Sequence, residues 1–315
     1  MLRTRLLFTM LFLTTLNMAC NSVADDHPLA GIPLRSIGPA LTSGRVSDFA
    51  FHPERTHSFF VSMASGGLWK TDNNGITWTA LFEKENSYAI GVVEIDPANP
   101  NVIWVGSGEN NAQRSVAYGD GVYKSVDGGK TWKHMGLKDS GHISMIRFHP
   151  DDSNTVFVAA QGPLWSPGGD RGLYRSTDGG QTWKRILDID ENTGVNEFVI
   201  DPANPDVIVA SSYQRRRHVW TLINGGPGSG LHKTTDGGIS WQKLAAGLPS
   251  GDLGRIGLAA APSAPAMIYA IIEADDKDKG VYRSTDFGES WEKRSDHGTS
   301  SPQYYNELFV DPRNP

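Results

Sequence analysis

The sequence predicts an all-β fold, on three observations. An eight-residue block recurs five times, as TDNNGITW (71–78), SVDGGKTW (125–132), STDGGQTW (176–183), TTDGGISW (234–241) and STDFGESW (284–291). The apolar runs between copies are four to six residues long and rich in Val, Ile, Tyr, Phe and Trp, which favours strand over helix. The 315 residues include 35 Gly and 9 Trp, a composition suited to many tight turns between short strands.

Each repeat carries the same elements in the same order. A first apolar run ends in proline: FAFHP, VVEIDP, MIRFHP, FVIDP and LAAAP, closing at Pro53, Pro97, Pro150, Pro202 and Pro262. A second run follows: SFFVS, NVIWVG, TVFVAA, DVIVAS and MIYAII. A third is led by glycine: GLWK, GVYK, GLYR, GLHK and GVYR. The block then makes an Asp/Gly turn, and a fourth strand starts at its closing Thr-Trp pair. Four strands per ~50 residues, repeated radially, describe a β-propeller of four-stranded blades. Residues 304–315 (YYNELFVDPRNP) repeat a first strand and its turn. The expectation is therefore five blades plus the first strand of a sixth, the front part of a larger 6–10-bladed or double propeller.

The N-terminus reads as an export leader spanning 1–24. Arg3 and Arg5 precede an apolar run from Leu6 to Leu16, too short for the ~20 residues of a spanning helix. Cleavage after Ser22-Val23-Ala24 leaves a propeller over 25–315. Leu16 to Cys20 offers the alternative of a lipoprotein signal, with Cys20 acylated. The expected location is periplasmic, outer-membrane-anchored or secreted, with membrane contact only through that lipid. A single Cys excludes a disulfide scaffold and a Cys-rich zinc site. The formal charge of −6 disfavours a nucleic-acid partner. No cofactor or metal is expected: Asp275, Asp276 and Asp278 alternate with Lys277 and Lys279 as a solvated turn, and G-x-S-x-G, H-E-x-x-H and P-loop patterns are missing.

The block, S/T-x-D-x-G-x-T/S-W, resembles the Asp box of BNR/Asp-box propellers, a WD40/YVTN/BNR-like class that includes sialidases, xyloglucan-cleaving glycoside hydrolases and sortilin-type receptor domains. The stretches LRSIGPALTSGRVSDFAFHP (34–53), GENN…GDGVYKS and YQRRR…GGPGSGLHK look like exported bacterial proteins of a sortilin-like, glycosyl-hydrolase-like kind. The resemblance implies that Asn73, Asp127, Asp178, Asp236 and Asp286, with Trp78, Trp132, Trp183, Trp241 and Trp291, are structural and cap turns away from the ligand face. It also implies a catalytic Asp in the first blade of the xyloglucan-cleaving family, where this chain has Ala64 in Met63-Ala64-Ser65-Gly66-Gly67.

Length variation then locates the functional end, because functional loops tolerate insertion. The second-to-third connection is minimal in blade one, but runs Gly106–Asp120, Gln161–Arg171 and Ser211–Ser229 in blades two to four. Rings that stack and Arg or amide groups that hydrogen-bond suit a sugar or peptide. The ligand-binding candidates are Arg45, Asn110, Arg114, Tyr118, His142, Trp165, Tyr213, Arg215, Arg216, Trp220 and Arg255. Glu109, Asp120 and Glu197 are the carboxylates available if a glycosidic bond is cleaved, a reaction that needs two. The expected function is an exported propeller binding a glycan or peptide, as a module of a larger protein. The alternatives are a glycoside hydrolase of xyloglucanase or sialidase type, and a protein–protein interaction scaffold.

Overall fold

The computed structural model describes residues 44–111 and 116–315; the expected leader over 1–24, with Cys20, lies outside them. Five antiparallel four-stranded sheets follow one another, each paired in chain order. Blade one comprises Val46–Phe51, Phe59–Met63, Gly67–Thr71 and Thr79–Ala80. Blade two comprises Ile90–Ile95, Ile103–Ser107, Val122–Ser125 and Lys133–His134. Blade three comprises Ile143–His149, Asp152–Ala160, Gly172–Ser176 and Lys184–Leu187. Blade four has Thr193–Ile200, Ile208–His218, Gly230–Thr234 and Gln242–Lys243, with Thr221–Asn224 added beside its second strand. Blade five has Ile256–Ala261, Ala264–Ile272, Gly280–Ser284 and Glu292–Ser295.

The core lies between blades. Ala50, Phe60 and Leu68 of blade one meet Ile90, Val93 and Tyr123 of blade two. Trp104 and Val122 meet Ile143, Val158 and Tyr174 of blade three. Phe157 and Leu173 meet Val195, Phe198 and Ala210 of blade four. Val209 and Leu231 meet Ile256, Ile268 and Ile272 of blade five. Each interior sheet is therefore covered on both faces, which is why its strands read as continuous apolar runs rather than as alternating ones.

The repeated block folds the same way in every blade. In blade three, Asp178 Oδ1 accepts from Ser176 Oγ at 2.8 Å and from the Thr182 N–H at 2.9 Å, and Oδ2 accepts from Thr182 Oγ1 at 2.6 Å. Ser176 Oγ in turn accepts the Gly180 N–H at 2.8 Å. These bonds favour the ionised carboxylate and pull Asp178 down to about 2. Blade one shows what the turn requires. There Asn73 supplies the oxygen to Thr77 N–H at 2.9 Å, while its amide donates to Thr77 Oγ1 at 2.9 Å. Gly180 has φ 91°, and a Cβ there would come within 2.2 Å of Trp104 in the preceding blade. Blade five places Phe287 at the preceding left-handed position, φ 52°. That conformation costs about 1 kcal/mol or more, offset by burial of the ring.

Hydrogen bonds fix which connections share an end. The block donates a backbone N–H to the first-to-second turn, or to the start of the second strand, of its own blade, from Asn74, Gly128, Gly179, Gly237 and Phe287 to His57, Asn101, Asn154, Asp206 and Ala266. At the other end, second-to-third loops meet the links between blades, as in Gly108 N–H to Ala89 O, Gly119 N–H to Gly141 O and Gln161 N–H to His142 O. Two sequence expectations change in detail. The blade-four connection 211–229 is largely a β-hairpin, with Arg215 opposite Asn224 and His218 opposite Thr221. Residues 302–305 form a helical turn, and 306–310 have no ladder pairing, since no second strand follows them within the 315 residues.

Asp178→Ala should lower the urea midpoint, because Ser176, Thr182 N–H and Thr182 Oγ1 lose their acceptor. Asp178→Asn should cost several-fold less, since Asn73 does the same work in blade one. Equal losses for the two variants would show that the oxygen is not what the turn needs.

Candidate functional site

The first strands of all five blades, together with residues 307–310, surround a cavity of about 500 Å³. Polar side chains on these strands tie each to the next. Ser47 Oγ donates to Ile90 O at 2.7 Å, and Asp48 Oδ2 accepts the Val93 N–H at 3.1 Å. Ser144 Oγ donates to Val195 O at 3.1 Å, and Asn196 Nδ2 to Ile256 O at 3.0 Å. Glu197 Oε2 accepts the Leu258 N–H at 2.6 Å, and Asn306 Nδ2 reaches Arg255 O at 3.0 Å. Arg147 and Glu94 pair across blades at 2.9 Å. Burial pushes Asp48 up to about 6, against the pull of Arg147. It likewise raises Glu94 to about 7, opposed by Arg147, and Glu197 to about 7, opposed by Arg255.

The blade-two loop carries Glu109, which is ion-paired with Arg45 and accepts the Ala117 N–H at 3.3 Å. The Arg45 guanidinium also lies 5.4 Å from the Tyr304 ring. Asp120 accepts from Tyr123 OH at 2.7 Å and Ser107 Oγ at 3.2 Å. Glu109, Asp120 and Glu197 thus each have their own structural partners, and among the described residues no hydrogen bond joins any two of them. Arg114 lies outside the described residues.

The blade-three loop is organised by Arg171, whose guanidinium donates to the carbonyls of Gly168, Gln161, Pro163, Ser166 and Asn192. Gly162 makes room for it, because a Cβ there would lie 2.1 Å from Arg171 Cγ. The blade-four hairpin docks on this loop through Arg217 N–H to Leu164 O at 2.9 Å, and the Arg217 guanidinium sits 5.9 Å from the Trp165 ring. At the hairpin tip Trp220 is 82% exposed and stacks on His218 at 5.5 Å.

The remaining candidates divide by burial. Tyr213 is fully buried, its hydroxyl spent on Asn224, so its ring supports Arg215 from within at 5.8 Å. Arg255 is buried and held by Gln303 O at 2.9 Å and Glu307 at 3.0 Å. Asn110 and Arg215 are buried and joined by Arg215 Nη1 to Asn110 O at 3.3 Å. Arg216 is half-buried, with Nε and Nη1 unpartnered. His142 is fully buried, its ring 5.2 Å from that of half-exposed Tyr118. Burial, then Arg215 and Arg171, hold His142 well below its ordinary value, so it is neutral. Asp48, Glu94 and Arg147 were not among the sequence candidates. Their signal was a charged residue inside an otherwise apolar first strand. Arg171 had no comparable signal.

These features define a repeat propeller with a structural turn end and a loop-bearing end. The Sortilin-Vps10 family profile (sortilin, neurotensin receptor 3) matches residues 120–248 and 171–308, and the chain belongs to this family. A xyloglucanase of Acetivibrio thermocellus is 26% identical over 250 residues, covering 68% of this chain and 26% of that protein. A probable oligoxyloglucan-reducing end-specific xyloglucanase of Neosartorya fischeri is 30% identical over 216 residues, covering 65% and 24%. The chain spans about a quarter of the length of these relatives. The crystal structure of the GH74 enzyme of Niastella koreensis shares the fold with a TM-score of 0.62 at 18% identity, over 85% of this chain and 42% of that one.

The raised Glu197 value has a stability consequence of definite sign. Folding favours the neutral acid, so this share of stability is full below about 4.5 and is lost as pH rises through about 7. Glu197→Gln keeps an acceptor for the Leu258 N–H and cannot ionise. It should be more stable than the parent by roughly 1–3 kcal/mol at pH 8, with the gap closing by pH 4.5. Urea unfolding at both pH values checks this. A pH-independent difference would contradict it.

Proposed function

We propose that this chain is a ligand-binding propeller, exported from the cell, that takes a glycan or a peptide at its loop-bearing end. The observation that carries the reading is the placement of Tyr118, Trp165 and Trp220. All three keep exposed ring surface on the loops of blades two, three and four, at 48%, 46% and 82%. An exposed ring held among arginines and amides is the kind of surface on which sugars stack. Xyloglucanase relatives make a glucan the first class to try.

Binding is favoured over hydrolysis by the state of the carboxylates. Glu109 is neutralised by Arg45, Asp120 is held by Tyr123 and Ser107, and Glu197 caps a neighbouring strand. Ala64, where the xyloglucan-cleaving resemblance places an acid, is itself buried in blade one. A glycan array, run beside hydrolysis assays on xyloglucan and sialylated substrates, tests the reading. Glycan retention without turnover is the expected result. Turnover that Glu109→Gln abolishes would replace binding by catalysis. Retention of protein partners alone would favour a scaffold.

A further inference from the structure

The face that blade one turns away from blade two has no cover. Val46, Phe49, Phe51, Phe59 and Trp78 form it, with Phe51 60% and Phe49 49% exposed. Their rings run together: Phe51 lies 5.2 Å from Phe59, and Phe59 lies 5.6 Å from Trp78. The same positions in the next blade are Ile90, Val93, Ile95, Ile103 and Trp132. There the four aliphatic side chains are buried against blade one. A contiguous exposed apolar patch marks an interaction surface. The repeat says which kind: this one fits the face by which each blade meets the next.

Two directional groups at this opening are also unmet. In blades two to four the indole of the block donates to a carbonyl of the preceding blade, at Leu81, Met135 and Ile186. Each acceptor lies three residues after the preceding blade's own tryptophan. Trp78, in the first blade, has no preceding blade among the described residues to supply one. In the other direction, the base of the third strand reaches the block of the next blade. Lys124 Nζ donates to Gly179 O at 3.2 Å, Arg175 Nη1 to Gly237 O at 2.7 Å, and Lys233 pairs with Glu289 at 2.6 Å. Arg283 holds this place in blade five. Its Nε is buried without a partner, and its Nη2 reaches Glu292 of its own blade at 3.5 Å.

Residues 306–310 point to the occupant. Glu307 is held by Arg255 of blade five, and Tyr304 lies under Arg45 at the entry to blade one. Glu307 to Val310 line the axial cavity beside Asp48 and Leu258, which is the place of a first strand. The turn after it is already made. Asp311 Oδ1 accepts the N–H groups of Arg313 and Asn314 at 2.8 and 3.2 Å. Asp96 Oδ1 accepts that of Ala98 at 2.9 Å in the same way, before the second strand of blade two. The ladder groups of 306–310 stay unpaired, and an unpaired edge is a template for another strand. A second copy of the chain would have to bring its own first strand to the place that 306–310 fills. We propose that strands two to four of a sixth blade, joined through this turn, dock between blades five and one. That blade carries the same block: its turn receives Arg283, and its fourth strand offers the carbonyl for Trp78.

The test grafts residues 101–137, the rest of blade two, after Pro315, because Asp96 to Pro100 and Asp311 to Pro315 share one D-P-x-N-P turn. The grafted chain should bind a hydrophobic-surface dye several-fold less than the parent and unfold at a higher urea midpoint. Trp78→Phe and Arg283→Ala should each lower that midpoint in the grafted chain and leave the parent's nearly unchanged. Unaltered dye binding and midpoint after grafting overturn the proposal, and so do equal losses from Trp78→Phe in both chains. Sedimentation of the parent separates a second copy: the parent should be monomeric, and a dimer that Phe51→Ser dissociates overturns the assignment. If the graft does not fold, the parent decides. There Phe51→Ser should lower dye binding and spare the midpoint, whereas a midpoint loss as large as that from Ile95→Ser would mean that the face is already covered.

Discussion

The structure depends on an indole N–H that crosses from one blade to the one before it. Trp132 Nε1 donates to Leu81 O at 2.9 Å, Trp183 to Met135 O at 2.7 Å and Trp241 to Ile186 O at 2.7 Å. Apolar packing between sheets is strong but non-directional, so it would let neighbouring blades slide. The tryptophan adds both area and a directional bond, which fixes their register. Trp183 packs edge-on against Trp104 at 6.0 Å, and Trp132 against Phe82 at 5.2 Å. Blade five reaches the same end with different atoms. The Trp291 backbone N–H meets Ala246 O at 3.0 Å while its indole turns to Gly288 O.

Once register is set, the two ends of the blades have different polar balances. At the turn end the Asp carboxylates and Ser/Thr hydroxyls of the block bond to one another and to its backbone, and the backbone is tied to the adjacent hairpin. At the loop end the bonds run between segments distant in sequence, as from Arg215 to the Asn110 carbonyl and from Arg217 N–H to the Leu164 carbonyl. The acids of the channel wall belong to the frame: Asp48 and Glu197 each accept a backbone N–H from the next blade's first strand.

The blades were legible because their signals are local. Eight residues close the turn, glycine opens the third strand, and proline ends the first, five times over. The site was legible only as a list of side chains. Arg215 and Asn110 lie far apart in sequence, and nothing in their local patterns says that the Arg215 guanidinium would meet the Asn110 carbonyl. Tyr213 reads as a ligand contact because it sits beside the arginines, yet strand alternation and Asn224 turn it inward. The hairpin over 211–224 was hidden because its turn, Val219-Trp220, lacks the Gly or Asn that announces one. Arg171 stayed unseen for a tertiary reason: its role exists only once five backbone carbonyls curl around it.

The claim that a directional bond sets blade register is tested most directly by Trp183→Phe, which keeps a buried ring and deletes the N–H. Urea unfolding should show one transition with an unchanged slope and a stability lower by about 1 kcal/mol, the net worth of one hydrogen bond with its acceptor left behind. An unchanged midpoint would mean that apolar packing alone holds the blades in register.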